Sequence, residues 1–330
     1  MSHLTKHLLL PALLLCLAQA QLRAQRPDFY LNLDGIMDNR EYFMPYGIHQ
    51  TYFGIRINPG VSFAFDSIHE IGAGINYMYE FGGAFMGVKP QLDLYYAYHG
   101  EQVEFKLGSF RRSEVMEYPR YLLRDSLTYY RPNMEGASVA YSWEWGHVHA
   151  WVDWMGREDT VTREAIFAGI DARLGRGIPY LEFYTTRYHL AKTTVPGDGF
   201  RIHDDGSLLL MAGADLDERL FLDELDLSTG LAASHVQERP EDNQWFTGWL
   251  SRFHARYRFT GIRANYYIGD SSPLTWGDPL YDAKNYARFD FYVDPFRKNS
   301  RISSKISWNL HLIPGEGLYH SQQFLLSVRL

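Results

Sequence analysis

Arg301 to Leu330 reads RISSKISWNLHL-IPGEG-LYHSQQFLLSVRL, and this stretch decides the fold. Between Arg301 and Leu312, Ile302, Ile306, Trp308, Leu310 and Leu312 alternate with Arg301, Ser303, Lys305, Ser307, Asn309 and His311. After the short Ile313-Pro-Gly-Glu-Gly317 connection, Phe324, Leu326, Val328 and Leu330 interleave with Leu325, Ser327 and Arg329. A period of two places the two sets on opposite faces of a strand. One face suits lipid or a core. The other carries Arg, Lys, Asn and His, which a soluble sandwich would not bury but a watery barrel interior would accept.

Working outward, the first 24 residues read as a secretory signal. Lys6 and His7 form the charged region, Leu8 to Leu17 the apolar run, and Ala18-Gln19-Ala20 the cleavage pattern, with a cut after Ala24 as the alternative. The apolar run is about half the roughly 20 residues a spanning helix needs. Cys16 is the only cysteine and is preceded by Leu15, not by the small residue of a lipobox, so neither a lipid anchor nor a disulfide is expected. Removing residues 1–24 takes away Lys6 and Arg23 and no acids, which moves the formal charge from −7 to −9. An acidic chain without a basic stripe argues against nucleic acid as a partner.

No other apolar run reaches spanning-helix length, so membrane residence must come from strands. Alternation and turn residues place sixteen of them, near 29–37, 50–65, 69–81, 88–99, 101–110, 134–145, 147–156 and 163–174. The rest fall near 178–189, 207–216, 225–237, 247–259, 260–269, 285–294, 301–312 and 318–329. A count of 14 to 18 fits the same pattern. Connections alternate between tight (Asp66-Ser67, His99-Gly100, Trp145-Gly146, Gly175-Arg176-Gly177, Thr260-Gly261) and long and polar. That is the mark of an all-β, transmembrane antiparallel up-and-down barrel, in one domain over residues 25–330. Strand six would turn Ala137, Val139, Tyr141, Trp143 and Trp145 outward, and strand three Ile71, Ala73, Ile75, Tyr77, Tyr79 and Phe81. Tyr96, Tyr98, Trp143, Trp145 and Tyr266 sit where an interfacial aromatic girdle belongs.

A chain ending on an alternating strand with an apolar last residue resembles the closing strand of bacterial outer-membrane barrels. There the last residue is usually Phe, and here it is Leu330. The topology over residues 27–330 resembles the general porins, and the aromatic-rich texture resembles uncharacterised Bacteroidota barrels. The porin resemblance implies that the third long connection, Arg111 to Asn133, folds into the lumen as a constriction. It implies an outer-membrane location, with loops outside and both termini periplasmic, and passive diffusion of small polar or charged solutes.

Arg111, Arg112, Glu117 and Arg120 of that connection are the expected constriction residues, with Arg252, Arg256, Arg263, Arg288 and Lys305 on a basic wall. Glu80, Asp93 and Glu144 belong to a facing acidic wall. Such opposed walls would set a transverse field across a pore. His147, His149, Trp151 and Asp153 share one strand face, but two His without a further ligand make no tetrahedral set. Asp204-Asp205-Gly206 reads as an Asp-Gly turn, and Asp215-Leu-Asp217-Glu218 as a turn between strands. Neither has the spacing of a calcium loop, so no metal or cofactor is expected.

A hydrolase needs a nucleophile, a base and an orienting partner together in space. There is no Gly-x-Ser-x-Gly elbow, and no local pattern ties His189, His203 or His235 to one serine. Such a site would have to be assembled across strands. The expectation is therefore a non-enzymatic channel. Its alternatives are a barrel scaffolding a surface lipoprotein or an assembly or export machine, and a barrel hydrolase acting on outer-leaflet lipid or peptide. Expected partners are outer-membrane lipid and lipopolysaccharide and the barrel-assembly machinery, with a homo-oligomer or a surface lipoprotein as further candidates.

Overall fold

Alternation governs every wall of the structure. In the last two strands Ser307, Asn309, His311, Ser321 and Gln323 are buried, whereas Ile306, Trp308, Leu312 and Leu318 are exposed. The structure, a computed structural model, describes residues 27–40, 42, 46–47, 49–159, 162–192, 201–217 and 221–330. The signal peptide expected over residues 1–24 lies outside them.

Among the described residues sixteen strands close into one barrel, each paired antiparallel with its sequence neighbours. They are β1 (Asp28–Asn39), β2 (Thr51–Ala64), β3 (His69–Glu80), β4 (Gln91–His99), β5 (Val103–Arg111), β6 (Asn133–Trp143), β7 (Gly146–Gly156) and β8 (Ala165–Gly175). The second half is β9 (Pro179–Leu190), β10 (His203–Asp215), β11 (Glu224–Glu238), β12 (Gln244–Tyr257), β13 (Thr260–Gly269), β14 (Asn285–Val293), β15 (Ile302–Ile313) and β16 (Gly317–Arg329). Closure is made by β1 against β16, from Asn32 opposite Arg329 to Asn39 opposite Gln322. Closure leaves no strand edge unpaired, as a lipid environment demands. No helix among the described residues is long and apolar enough to cross a membrane.

The start of β1, the end of β16 and the short turns lie at one end of the barrel, and the long connections at the other. Tyr141, Trp143 and Trp145 form an outward ladder at the short-turn end, with ring centroids 5.5 and 5.1 Å apart. The apolar outer band with its aromatic border is that of an outer-membrane barrel.

Three turns depart from expectation, the β6–β7 turn lying at Glu144-Trp145 rather than Trp145-Gly146. Asp204-Asp205-Gly206 is strand, not turn, and β10 starts at His203. Cross-strand partners outbid the local Asp-Gly preference: His189 Nδ1 lies 2.8 Å from Asp204, and the Thr275 amide donates to Asp205 at 3.1 Å. The β12–β13 connection turns at Arg258-Phe259 rather than Thr260-Gly261, with Arg258 in the left-handed region at φ 57°. The Arg258 amide is held there by the Asp223 carboxylate.

The lumen is not empty. Segment 112–132, which contains the short helix α1 (Asp125–Tyr130), folds inward, as does segment 270–284. Their Tyr121, Leu122, Leu274, Leu280 and Tyr281 pack with Tyr42 and with wall residues Leu209, Leu250, Tyr267 and Tyr286. Arg120 reaches Asp125 at 3.0 Å and Asp290 of β14 at 3.2 Å. Burial would raise the Asp125 carboxyl, but Arg120, Arg288 and Arg40 outweigh it and hold the group below the usual carboxylate range. These contacts pin the third long connection across the interior, as the porin resemblance implied.

Gly108 of β5 has φ +122°, and a Cβ there would lie 2.2 Å from the Leu94 carbonyl oxygen. Only glycine combines that backbone with that approach. Gly108→Ala is expected to lower stability by about 1–3 kcal/mol. Urea unfolding in detergent micelles checks this, and an unchanged midpoint would contradict it.

Candidate active site

Three adjacent strands bring together a serine, a histidine and an aspartate. Ser138 lies on the inward face of β6, His149 on that of β7 and Asp171 on that of β8. His149 pairs directly with Asp171 across β7–β8. Across β6–β7 it pairs with Ala140, which makes Ser138 its diagonal neighbour on the same face. Ser138 Oγ lies 2.9 Å from His149 Nε2, and His149 Nδ1 lies 2.9 Å from Asp171 Oδ1. The relay has the connectivity that activates a serine: hydroxyl to one ring nitrogen, carboxylate to the other.

Its surroundings fix it in place. His149 and Ser138 are buried. His147 approaches the other Asp171 oxygen at 3.5 Å. From the inward-folded segment, Tyr118 accepts a hydrogen bond from Trp151 Nε1 at 2.8 Å. Burial first, and then the Asp171 charge, push the Tyr118 hydroxyl well above its ordinary range. Lys106 pairs directly with Ser138 across β5–β6, and its ammonium is held by Glu114 at 2.7 Å. Beside the relay opens a cavity of about 410 Å³, lined by Val115, Met116, Glu117, Ala140, His147, Arg173 and Tyr184 among others.

Among the described residues two other histidines meet a serine or threonine hydroxyl and lack this connectivity. Both ring nitrogens of His203 contact carboxylates, Glu238 on Nδ1 and Asp205 on Nε2, which leaves no free lone pair for Thr275. His311 lies between Tyr286 and Ser321 with no carboxylate on either nitrogen, beneath the Tyr42 ring.

The residues expected to line a constriction are found mostly in local pairs. Arg111 binds Asp34 at 2.7 Å and Arg112 binds Asp153 at 2.5 Å. Arg252 and Arg256 are taken by Glu182 and Glu224, and Arg288 by Asp290 at 2.6 Å. Arg263 and Lys305 flank the Tyr292 ring at 5.7 and 5.0 Å. Glu80 accepts from Tyr130, and Asp93 from Asn58 and Asn133. Glu117 lines the relay's cavity. Glu144 is not on a wall at all. It lies in the β6–β7 turn and pairs with exposed Arg176 at 3.0 Å, because β6 ends at Trp143. Most of the charges expected on the acidic and basic walls are thus engaged in ion pairs or hydrogen bonds within the protein.

Tyr118→Phe removes the hydroxyl that accepts from Trp151 while keeping the ring. It is expected to lower labelling of Ser138 by a serine-directed phosphonate about tenfold, the scale of an outer partner that orients a site residue. Unchanged labelling would show that the relay needs no such support.

A closed membrane barrel with a serine–histidine–aspartate relay on its inner wall is what fold and site together define. The chain belongs to the Lipid A 3'-O-deacylase-type family, whose profile matches residues 21–322. That membership overturns the expectation of a non-enzyme, because the family is of an enzyme type. No curated protein sequence matches the chain. In fold the chain is similar to an anion-selective porin from Comamonas acidovorans, at TM-score 0.53 and 8% identity, over 92% of this chain and 99% of that one. It is also similar to the Salmonella typhi OmpF porin solved with daunomycin, at TM-score 0.50 and 11% identity, over 92% and 97% of the two chains. A variant of the Rh. blastica porin gives TM-score 0.50 and 11% identity, over 92% and 100%. At such identities the likeness is one of fold alone.

Proposed function

We propose that this barrel is an acyl-ester hydrolase acting on outer-membrane lipid, of the lipid A 3'-O-deacylase type, and not a diffusion channel. The observation that carries this reading is the continuous Ser138–His149–Asp171 relay. Ser138 Oγ attacks the ester carbonyl carbon and passes its proton to His149 Nε2. The tetrahedral adduct collapses, and the departing alkoxide takes that proton. Water, deprotonated by His149, then attacks the acyl-Ser138 ester and releases the fatty acid and the free serine. Asp171 holds the ring through Nδ1–H, and the Lys106 ammonium stands on the Ser138 side to oppose charge on the carbonyl oxygen.

In this reading the long-connection end faces outward and both termini face the periplasm. Val115, Met116 and Glu117 line the cavity together with His149 and Asp171, so segment 112–132 forms one wall of the substrate cavity. The packing of segments 112–132 and 270–284 into the lumen favours a chamber over a wide water path.

The test is incubation of the refolded, heat-modifiable protein with an ester-acylated, phosphorylated glycolipid in mixed micelles. Released fatty acid is then read by mass spectrometry. Release above the rate of a Ser138→Ala control is expected. A folded wild type that releases nothing would sink the proposal.

A further inference from the structure

At the long-connection end the outer wall carries a charged group that the relay does not use. On β9, Leu181, Phe183, Thr185, Arg187 and His189 form the outward set. On β10 the outward set begins at Asp204 and Gly206 and continues into Leu208 and Leu210, both exposed. His189 pairs with Asp204, and Arg187 with Gly206. Arg187, His189 and, from the β11–β12 connection, Arg239 all converge on Asp204, at 3.2, 2.8 and 2.9 Å. The carboxylate is covered, with 1% side-chain exposure, while Arg187 and Arg239 stay about half exposed at 55% and 50%. Two guanidinium groups share one carboxylate, so the group keeps a net positive charge. The neighbouring Arg201 is matched by its own partner, Glu241.

Arginine on a lipid-facing wall is costly at mid-bilayer and nearly neutral near the interface. Arg187 and His189 occupy the last turns of β9 before its long connection, just above the exposed leucines, which is headgroup level. The aromatic anchor expected at that level is present. Trp245 is 66% exposed and packs on His235 at 5.1 Å. A Cβ at Gly206 would lie 2.6 Å from His235 Nε2, so the missing side chain makes room for that ring beside Arg187.

We propose that this wall, β9 to β12 at the long-connection end, is a binding site for the phosphomonoester headgroup of a membrane lipid. Arg187 and Arg239 grip the phosphate and Trp245 lies against the start of the acyl region. Exposed guanidinium forks from two different elements match a group with several acceptor oxygens and more than one negative charge. This site is on the outside of the barrel and does not depend on hydrolysis at Ser138.

Native mass spectrometry of the full barrel tests it, using micelles doped with equal phosphatidic acid and phosphatidylcholine. Wild type is expected to retain phosphatidic acid over phosphatidylcholine by about tenfold, or about 1.4 kcal/mol. The Arg187→Gln/Arg239→Gln double variant should lose that preference. Arg176→Gln/Arg258→Gln, an equal charge loss at the short-turn end, should keep it, as should Ser138→Ala. Equal retention of the two lipids by wild type, an undiminished preference in the first double variant, or an equal loss in the second would each overturn the proposal. If the first double variant does not fold, Arg239→Gln alone, outside the strands, gives the same reading with a smaller loss.

Discussion

Ser138→Ala should abolish the proposed acyl-ester hydrolysis to within the background, a loss of roughly a thousandfold or more, while the barrel is expected to fold and insert as wild type. The magnitude follows from chemistry: without the nucleophile only binding and fixed electrostatics remain to assist water. Folding should survive because the change removes one hydroxyl from a site where His149 keeps its second partner, Asp171, at 2.9 Å. His149→Gln should cost about as much. The double variant should be no worse than either single one, because members of a relay act as a unit. Turnover on a micellar ester substrate, with heat-modifiable mobility as the folding control, checks all three. A Ser138→Ala protein with more than a tenth of wild-type activity would remove Ser138 from the mechanism.

Arg112→Ala should be the most damaging single change to the inward-folded segment, costing about 3–5 kcal/mol. Arg112 is 2% exposed; it donates to Asp153 at 2.5 Å and to the Asn133 carbonyl at 3.2 Å. Asp153 in turn accepts from the Glu135 amide at 2.9 Å. Taking away the guanidinium strands a buried carboxylate at the root of segment 112–132, and the penalty is the cost of that uncompensated charge. The Arg112→Met/Asp153→Leu pair replaces both ions with apolar groups and should recover most of the loss. Urea midpoints of the single and paired variants decide the matter. A single variant within 1 kcal/mol of wild type, or a pair as unstable as the single, would show that this ion pair does not anchor the segment. Because Val115, Met116 and Glu117 follow closely after Arg112, the single variant should also lower the proposed hydrolysis by loosening the cavity wall.

The barrel was legible in the sequence because its evidence is local. A period of two in Ile306, Trp308 and Leu312 against Ser307, Asn309 and His311 needs no knowledge of any other strand. The inward path of segment 112–132 was accessible by resemblance, but its anchors were not. Arg120 meets Asp290, 170 positions away. The relay was illegible for the same reason. Its members are spaced by 11 and 22 positions, and they meet only if the β6–β7 and β7–β8 registers are right to the residue. In the sequence His149 shares a strand face with His147, Trp151 and Asp153, a spacing that raises metal ligation before it raises a catalytic base. A turn at Trp145-Gly146, as the sequence reads, would set Ser142 opposite His149; the observed turn at Glu144-Trp145 sets Ala140 there and leaves Ser138 diagonal to it. Asp204-Asp205-Gly206 failed the other way, where a strong local turn signal gave way to partners on neighbouring elements.

The central claim is that Ser138 is an activated nucleophile. Labelling with a small fluorophosphonate, followed by digestion and mass spectrometry, tests it most directly. The account predicts one phosphonyl adduct, on Ser138, in folded wild type, and its disappearance in His149→Gln. A folded barrel that takes no adduct, or takes it on another serine such as Ser321, would contradict the account.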